Sequence, residues 1–343
     1  MTGRFTRRAA TARLAAGIAL GGPLALGLPA TGRAEVPLLD QPLRIAKGSV
    51  GGVYAAYGAS LCRLVEPDLV RRRQLCTMVT TQGSLGNLRF VRAGIADLGI
   101  AQGELVRAAF EGEGAFVVDG ANRELRVLFG AVPEKMHIVV DAALPVTWAA
   151  DLAGRRVDIG PPGSGTREAA LFLLAAADLG MDDFVAVAGN PGAQRILDFC
   201  RRDVDAFAFM AASPNAVVQD AFARCSSRLV GPTAASLDRI LETTTDFRAA
   251  IIPAGSYPGQ TADIRTLAST AFVVADRGLP DAVAERITEA VFTGIAALRR
   301  LHLAFADLDE TVLLAPCPGV PYHPGALAYF AAAGIAPAAC PDG

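Results

Sequence analysis

The segment RVDIGPPGSGTREAALFLLAAADLG, residues 156–180, decides the class of fold. The short apolar run Val157–Ile159 predicts a strand, and the Ala- and Leu-rich stretch Thr166–Leu179 predicts a helix. Glycine, proline and serine lie between them, so the segment is a strand–turn–helix unit of the kind that builds α/β proteins. The first backbone N–H groups of such a helix are free and its dipole is positive there, so the turn is suited to hold an anion.

This turn resembles the phosphate loop of nucleotide-binding proteins, G-x-x-x-x-G-K-[ST]. Gly160 and Gly165 have the right spacing, but Thr166 stands at the lysine position and Arg167 at the position of the Mg²⁺-binding hydroxyl. The loop therefore lacks both groups that match a triphosphate, and nucleotide binding is not expected. A carboxylate fits the same helix start. Ser164 could alternatively serve only as the N-cap of the helix.

Strand-like and helix-like runs alternate along the chain in two series. The first series is Leu43–Ala46, Ala55–Val65, Cys76–Thr80, Leu85–Ala93, Leu98–Ala101 and Leu105–Glu111. The second is Val157–Ile159, Thr166–Leu179, Phe184–Val187, Ala193–Cys200 and Ala206–Phe209. This rhythm predicts parallel sheets with helices on their faces. Each series also has a Gly/Ser turn that opens a helix and an acid that precedes an apolar strand, which indicates two related lobes.

The regular alternation of strand-like and helix-like runs ends at about Ile251. The stretch IIPAGSYPGQ, residues 251–260, predicts an extended segment that crosses between the lobes, before a strand at Thr270–Ala275 and a helix at Pro280–Arg300. We therefore expect an α/β protein of two lobes, each a mostly parallel sheet flanked by helices, with a ligand cleft between them. The first lobe is predicted at 35–132 and 258–343, and the second at 133–257.

Ligands of open α/β sheets bind at the carboxyl ends of the strands, beside helix starts. The positions expected there are Ser49 to Tyr54 with Gly52, Ser84 to Asn87, Gln102, Ser164 to Arg167 with Gly165 and Thr166, and Met210 to Asn215. Most are Gly, Ser, Thr, Asn or Gln, which hold a ligand by hydrogen bonds and offer little acid–base chemistry. We therefore expect a binding protein with no catalytic residue and no cofactor. Glu104 is expected to be a lone, solvated acid at a helix start; the alternatives are that it repels a second carboxylate of the ligand or binds an amine.

The histidines and the balance of charged side chains exclude several classes of function. The three histidines, at 137, 302 and 323, are scattered, so neither a zinc site nor a Ser–His–acid triad is expected. Residues 1–34 contain five arginines and no acid, and the rest of the chain has 27 basic and 34 acidic side chains, a net charge of −7. Because nucleic-acid binding depends on basic contacts, no nucleic-acid partner is expected.

The N-terminal residues have the composition of an export signal. Arginines at 4, 7, 8 and 13 precede an apolar stretch from Leu14 to Ala30, and Gly32 to Ala34 place small residues at a cleavage site. We expect cleavage after Ala34 and export of the remaining chain. Arg7-Arg8 leaves both the twin-arginine route and ordinary secretion open. A retained membrane anchor is the weaker alternative, because glycine and proline interrupt the apolar stretch.

The chain has six cysteines, and an exported protein is expected to use them in disulfides. Sequence alone allows 15 pairings of six cysteines. Pairing of neighbours is the simplest, because each pair then lies within one predicted segment; buried free thiols are the alternative. The predicted pairs are Cys62–Cys76, Cys200–Cys225 and Cys317–Cys340.

Five stretches of the chain together resemble one family. They are GSVGGVYAAYGASL (48–61), TTQGSLGNLRFVRAGIADLGIAQ (80–102), RRVDIGPPGSGTRE (155–168), IIPAGSYPGQ (251–260) and PYHPGALAYF (321–330). In this order they are similar to the TAXI family, the extracytoplasmic solute-binding subunits of TRAP transporters. The resemblance implies a two-lobed periplasmic binding protein, type II-like, that closes around its ligand.

The resemblance also implies a ligand and a partner. A monomer is expected to deliver a small organic acid or amino acid, glutamate-like or 2-oxoglutarate-like, to a TRAP permease driven by an ion gradient. A ligand-sensing role for the same cleft in a signalling system is the alternative. The pocket residues implied by position are Tyr54, Ser84, Asn87, Gln102, Ser164 and Thr166.

The sequence departs from the family pattern beside this pocket. Gln82 stands where a second glycine is usual, and Gly103-Glu104 stands where Ser-Asp is frequent. The identity of the ligand therefore stays open. Arg167 could bind a ligand carboxylate or form a surface pair with Glu168 or Asp205, and Met210 could contact the ligand or fill the core.

Overall fold

The computed structural model describes residues 42–49, 52–71 and 75–341. Its strands are β1 (Leu43–Ala46), β2 (Cys76–Val79), β3 (Leu98–Gln102), β4 (Leu125–Asp141), β5 (Arg156–Asp158), β6 (Ala186–Ala188), β7 (Ala206–Ala211), β8 (Ser227–Val230), β9 (Arg248–Ile252) and β10 (Ile264–Asp276). Its α-helices are α1 (Val53–Arg71), α2 (Ser84–Arg92), α3 (Gly103–Glu111), α4 (Gly165–Ala175), α5 (Gly192–Cys200), α6 (Ala216–Arg224), α7 (Ala234–Glu242), α8 (Asp281–Thr293), α9 (Ile295–Leu301), α10 (Glu310–Leu313) and α11 (Pro324–Ala333). The predicted export signal lies outside these residues. Within the described ranges, no helix has the length and apolar character needed to cross a bilayer.

Two similar α/β units make up the outer parts of the sheet. In the first unit, β1-α1-β2-α2-β3, the strands lie in the order β2-β1-β3 and are all parallel. In the second unit, β5-α4-β6-α5-β7, the order is β6-β5-β7, again all parallel. The predicted α/β class, with parallel strands and flanking helices, is confirmed. The turns at 82–87 and 162–166 open different helices of the repeat, because α2 corresponds to α5 and α4 corresponds to α1.

In each unit an arginine–aspartate pair links the first strand to the start of the third strand. In the first unit, Asp97 accepts hydrogen bonds from the backbone N–H of Arg44 at 2.8 Å and from its Nη2 at 2.7 Å. In the second, Asp205 accepts from the backbone N–H of Arg156 at 2.9 Å and from its Nη2 at 2.6 Å. Each aspartate directly precedes the third strand of its unit and binds the first. The repeat predicted from the two acid–strand motifs is therefore also a repeat of contacts.

Two long antiparallel strands join the units. The strand order β2-β1-β3-β10-β4-β7-β5-β6 places β10 and β4 at the centre, with β8 beside β4 and β9 beside β10. The predicted crossing at 251–260 is wrong, because β9 ends at Ile252 and the chain then turns before β10 begins at Ile264. The proposed boundary at 132/133 falls inside β4. The division into lobes at these positions stays a prediction.

The buried side chains form three clusters around this sheet. One, apart from Ala212, comes from residues 43–132 and 271–330, and the other two come from residues 136–267. The predicted pairing of the six cysteines is confirmed, since the disulfides join Cys62 to Cys76, Cys200 to Cys225 and Cys317 to Cys340. Each disulfide links segments that are close in sequence, so none of them ties the first unit to the second.

Candidate functional site

A cavity of about 540 Å³ lies between the two units, at the carboxyl ends of their strands. A volume of this size is typical of small-molecule sites. The first unit and β4 contribute Lys47 to Ser49, Gly52 to Tyr54, Gln82 to Ser84, Gln102 and Glu134. The second unit and α6 contribute Pro161, Ser164 to Thr166, Pro191 to Ala193, Ile196, Phe209 to Ala211, Asn215 to Val217 and Asp220.

Six of the described helices, α1 to α6, start at this cavity. Their N-terminal ends carry free N–H groups and partial positive charge. Ser164 accepts from the backbone N–H of Arg167 at 3.2 Å, and Asn215 accepts from that of Val217 at 2.8 Å, so these two residues cap α4 and α6. Helices α2, α3 and α5 have no side-chain cap. Ser164 therefore both caps its helix and lines the cavity, and the cavity wall is rich in hydrogen-bond donors.

The turns of the two units touch at one side of the cavity. The backbone N–H of Gln102 donates to Oγ of Ser84 at 3.3 Å, and both side chains face the start of α4. There Gly165 approaches so closely that an added methyl group would lie 1.7 Å from Oε1 of Gln102. That oxygen has no hydrogen-bond partner within the described residues and is covered by Gly165.

Glu134 projects from β4 into the same cavity and was not foreseen from the sequence. It is 2% exposed, and its Oε2 accepts a hydrogen bond from the hydroxyl of Tyr54 at 2.8 Å. Burial raises the pKa of Glu134 to about 8, against the opposing effect of the Tyr54 hydrogen bond. At neutral pH this side chain is therefore mostly protonated, so the cavity carries little negative charge from it.

The expectation that Glu104 is a lone, solvated acid is wrong. Its side chain is 8% exposed and accepts a hydrogen bond from Oγ of Ser269 at 2.6 Å. Burial raises the pKa of Glu104 to about 7, and repulsion between Glu104 and Glu134 contributes to the raised pKa of Glu134. Ser269 lies opposite Glu134 on the neighbouring strand, so it connects the two acids. Glu104 itself is behind the cavity wall.

Eight of the ten predicted site residues line the cavity. They are Gly52, Tyr54, Ser84, Gln102, Ser164, Gly165, Thr166 and Met210. Met210 is also only 4% exposed, so it belongs both to the buried core and to the cavity wall. Its backbone N–H donates to Oγ1 of Thr166 at 3.2 Å.

Asn87 and Arg167 lie behind the wall instead. Asn87 accepts from the backbone N–H of Gly48 at 3.2 Å and donates to the carbonyl oxygen of Ile100 at 2.6 Å, which fixes three segments of the first unit. Arg167 donates to the carbonyl oxygen of Gly160 at 3.2 Å and so closes its own loop. The surface pair expected between Arg167 and Asp205 is absent from the described contacts, because Asp205 binds Arg156.

A buried ion pair shapes the loops of the second unit. Nη2 of Arg195 lies 3.2 Å from Oδ1 of Asp158, and the two side chains are 2% and 0% exposed. Asp158 also accepts from the backbone N–H groups of Gly160 at 2.8 Å and Asn190 at 3.1 Å. These loops precede α4 and α5, so the ion pair positions two of the helix starts at the cavity.

A second buried chain of hydrogen bonds positions the start of α6. The backbone N–H of Asn215 donates to the hydroxyl of Tyr257 at 3.0 Å, and that hydroxyl lies 2.8 Å from Nε2 of His137. Burial lowers the pKa of His137 to about 4, so the ring is neutral at neutral pH. His137 and Glu134 lie inside the long strand β4 and outside any Gly/Ser turn, which is why motif reasoning missed them. Tyr257 lies in the stretch 251–260, but that stretch was interpreted only as a connection between lobes. Lys47 directly precedes such a turn, so the strand-end rule could have found it.

Comparison with solved structures places this geometry in a known fold. The periplasmic binding protein BugD has 12% sequence identity and a TM-score of 0.50, over 78% of this chain and 88% of that one. The aliphatic sulphonate binding protein SsuA from Escherichia coli has 16% identity and a TM-score of 0.45, over 80% and 77%. A Candida albicans protein with the generic periplasmic binding protein fold has 13% identity and a TM-score of 0.46, over 84% and 80%.

At these identities the likeness concerns the fold alone, which is the periplasmic binding protein fold. Within the described residues, no cluster of His, Cys, Asp and Glu could hold a metal ion. The model of the NMT1-like family matches residues 45–334, and the chain therefore belongs to the NMT1-like family.

Proposed function

We propose that this protein is the periplasmic solute-binding subunit of a TRAP transporter of the TAXI type and that it captures a small carboxylate. The observation that carries the proposal is the cavity between the two units, at which six described helices start. The cavity would then be the cleft between two lobes, formed by residues 35–132 with 258–343 and by residues 133–257. The central strands β4 and β10 would connect these lobes.

The wall of the cavity has the chemistry that a carboxylate needs. Free N–H groups and the positive ends of helix dipoles stabilise negative charge without a bound metal ion. Ser84 and Ser164 place hydroxyl groups beside two of these starts, where they can donate to carboxylate oxygens. Hydrogen bonds to a charged group each contribute about 1.5–3 kcal/mol.

The transporter type is supported by the five sequence stretches that resemble the TAXI family. All five supply turns, helix starts or strand ends of the described fold, and three contribute cavity residues. A monomeric protein would deliver the ligand to the membrane permease, and the composition of residues 1–34 supports export to the periplasm.

Thermal unfolding of the purified protein with small acids tests the ligand class. A ligand present at 100 times its Kd should stabilise the protein by about 2.7 kcal/mol. Carboxylates are expected to raise the unfolding temperature, whereas purines and metal ions are not. Stabilisation by the latter alone would overturn the proposal.

Transport is tested separately from binding. Proteoliposomes that contain the TRAP permease of the same organism should take up the ligand only when this protein and an ion gradient are both present. Normal binding without stimulated uptake, together with association with a membrane receptor, would instead favour the sensing role.

A further inference from the structure

Lys47 is a largely buried lysine at the edge of the cavity, and its side chain has no partner among the described residues. It follows β1 directly, is 6% exposed and lines the cavity. No described residue forms a hydrogen bond or ion pair with its side chain. By contrast, Nζ of Lys135 donates to the carbonyl oxygen of Ile251 at 2.8 Å. Lys47 and Lys135 are the only lysines among the 32 Lys and Arg residues of the sequence. The chain otherwise uses arginine as its basic residue, so a lysine at position 47 is unusual for this protein.

The other charged side chains of the cavity wall do not compensate Lys47. Asp220 lies 3.0 Å from Nε of Arg224 and its side chain is 44% exposed, so its charge is already paired and hydrated. Glu134 accepts a hydrogen bond from Tyr54, and burial raises its pKa to about 8, so it is mostly neutral at neutral pH. The described wall therefore retains one positive charge that nothing neutralises.

A cationic side chain in a confined site gains an ion pair when a ligand brings an opposite charge to it. The positive N-terminal ends of the helices also attract negative charge. Two independent features of the wall thus select an anion.

The two buried acceptors of the described wall, Gln102 and Glu134, suit an ammonium group poorly. Such a group needs several acceptors, or an ionised one, when it leaves water. Oε1 of Gln102 has no hydrogen-bond partner within the described residues, but Gly165 covers it. Glu134 is neutral and already bonded to Tyr54. An amino acid would therefore bury its ammonium group without adequate compensation.

We propose that Lys47 anchors the ligand by an ion pair and that the ligand is a small carboxylate without an ammonium group. The inference rests on the proposed function and chooses among its ligands, favouring oxo-acids or simple organic acids over amino acids. Lys47 would decide this specificity, because its charge matches the net negative charge of such an acid. A compact ammonium also fits a confined site better than a branched guanidinium.

Calorimetric titration with probes of matched skeleton tests the ligand class. The probe pairs are pyruvate and alanine, oxaloacetate and aspartate, and 2-oxoglutarate and glutamate. We expect the best oxo-acid to bind wild-type protein at least tenfold more tightly than its amino-acid counterpart. Tighter or equal binding of the amino acid would overturn the choice of ligand. Absence of binding by all six probes would count against the proposed function itself.

The Lys47→Met variant tests the anchor, with Lys135→Met as the matched control. Loss of a charge-assisted contact should weaken binding of the best probe ten- to a hundredfold in Lys47→Met and by less than threefold in Lys135→Met. Because Lys47 has no internal partner, Lys47→Met should unfold at the same temperature as wild type or higher. Unchanged affinity, or a clear drop in unfolding temperature, would show that Lys47 has a structural role and overturn its assignment.

Discussion

Gly165 lies against the side-chain amide of Gln102, and this contact joins the second unit to the first at the cavity. A methyl group at Gly165 would lie 1.7 Å from Oε1 of Gln102 and 2.8 Å from Oγ of Ser84. Nearby, a methyl group at Gly83 would lie 3.2 Å from the Cα of Ser164. Gly165 thus leaves room for the side chains of Gln102 and Ser84, and Gly83 leaves room for the backbone of Ser164.

Gly165→Ala should therefore disturb the contact between the two units more than the stability of either unit. The added methyl group must push Gln102 and Ser84 away, and overpacking of this kind costs about 1–3 kcal/mol. Ligand affinity is expected to fall by roughly ten- to a hundredfold in calorimetric titration. Gly180→Ala is the control, because its added methyl group has open space, with Asp183 the nearest neighbour at 3.7 Å. Equal affinities of the two variants would mean that ligand binding does not need this contact.

Ser164→Ala separates capping from ligand binding. Ser164 caps α4 and lines the cavity, whereas Thr233 caps α7 by accepting from the N–H of Ser236 and lies outside the cavity. Loss of either cap should lower the free energy of unfolding by about 1 kcal/mol. Only Ser164→Ala should also reduce ligand affinity, by roughly ten- to a hundredfold. If urea titration and calorimetry show the same pattern for Thr233→Ala, Ser164 has no separate role in binding.

The sequence predicted the repeated units well because their signals are local. The strand prediction Leu43–Ala46 agrees with β1 at both ends, and the strand–turn–helix prediction at 156–180 agrees with β5 and α4. A short apolar run followed by a capped helix is determined by neighbouring residues. The predicted helix Pro280–Arg300 is divided at Gly294, where a side chain would collide with Leu64 of α1, a contact that only the tertiary fold reveals.

The central strands and the acid pair could not be predicted in the same way. Residues 125–141 form one long strand although Pro133 lies inside it, and proline is normally a signal against a central strand. Glu134 becomes a buried acid of the cavity because β4 brings it beside Tyr54 of α1 and near Glu104 of α3. These residues are far apart in sequence, so no spacing pattern indicates that they meet.

Binding of a small carboxylate should weaken as the pH rises through about 8. Burial raises the pKa of Glu134 to about 8, and its ionisation would add negative charge to the cavity. If only the protonated form binds, affinity should fall about tenfold by pH 9. The groups that surround Glu134 are Tyr54, Gln102, Glu104 and Ser269. Titration of 2-oxoglutarate binding against pH measures the effect, because this ligand does not itself ionise in that range.

Two variants test whether ionisation of Glu134 causes this loss of affinity at high pH. Glu134→Gln should bind without the decline near pH 8. Glu104→Gln should keep the decline but shift it to lower pH, because repulsion from Glu104 contributes to the raised pKa of Glu134. A decline that persists unchanged in Glu134→Gln would have another origin.

The same raised pKa affects stability. The stabilising contribution of protonated Glu134 is fully present below pH 4.5 and is lost as the pH rises through about 8. Above pH 8, Glu134→Gln is therefore expected to unfold at a higher urea concentration than wild type, with the difference disappearing below pH 4.5. A constant difference at all pH values would indicate a packing effect instead of a titration.

Arg195→Met should be the most destabilising of these substitutions. It leaves the carboxylate of Asp158 buried without its ion-pair partner, and breaking such a pair costs about 3–5 kcal/mol. Arg277→Met is the control, because Arg277 and Asp281 form an exposed pair, with 42% and 55% of their side chains accessible. Removal of an exposed pair costs about 0–1 kcal/mol. Urea unfolding of both variants measures the difference, and a loss below about 1 kcal/mol for Arg195→Met would mean that Asp158 is satisfied by the N–H groups of Gly160 and Asn190 alone.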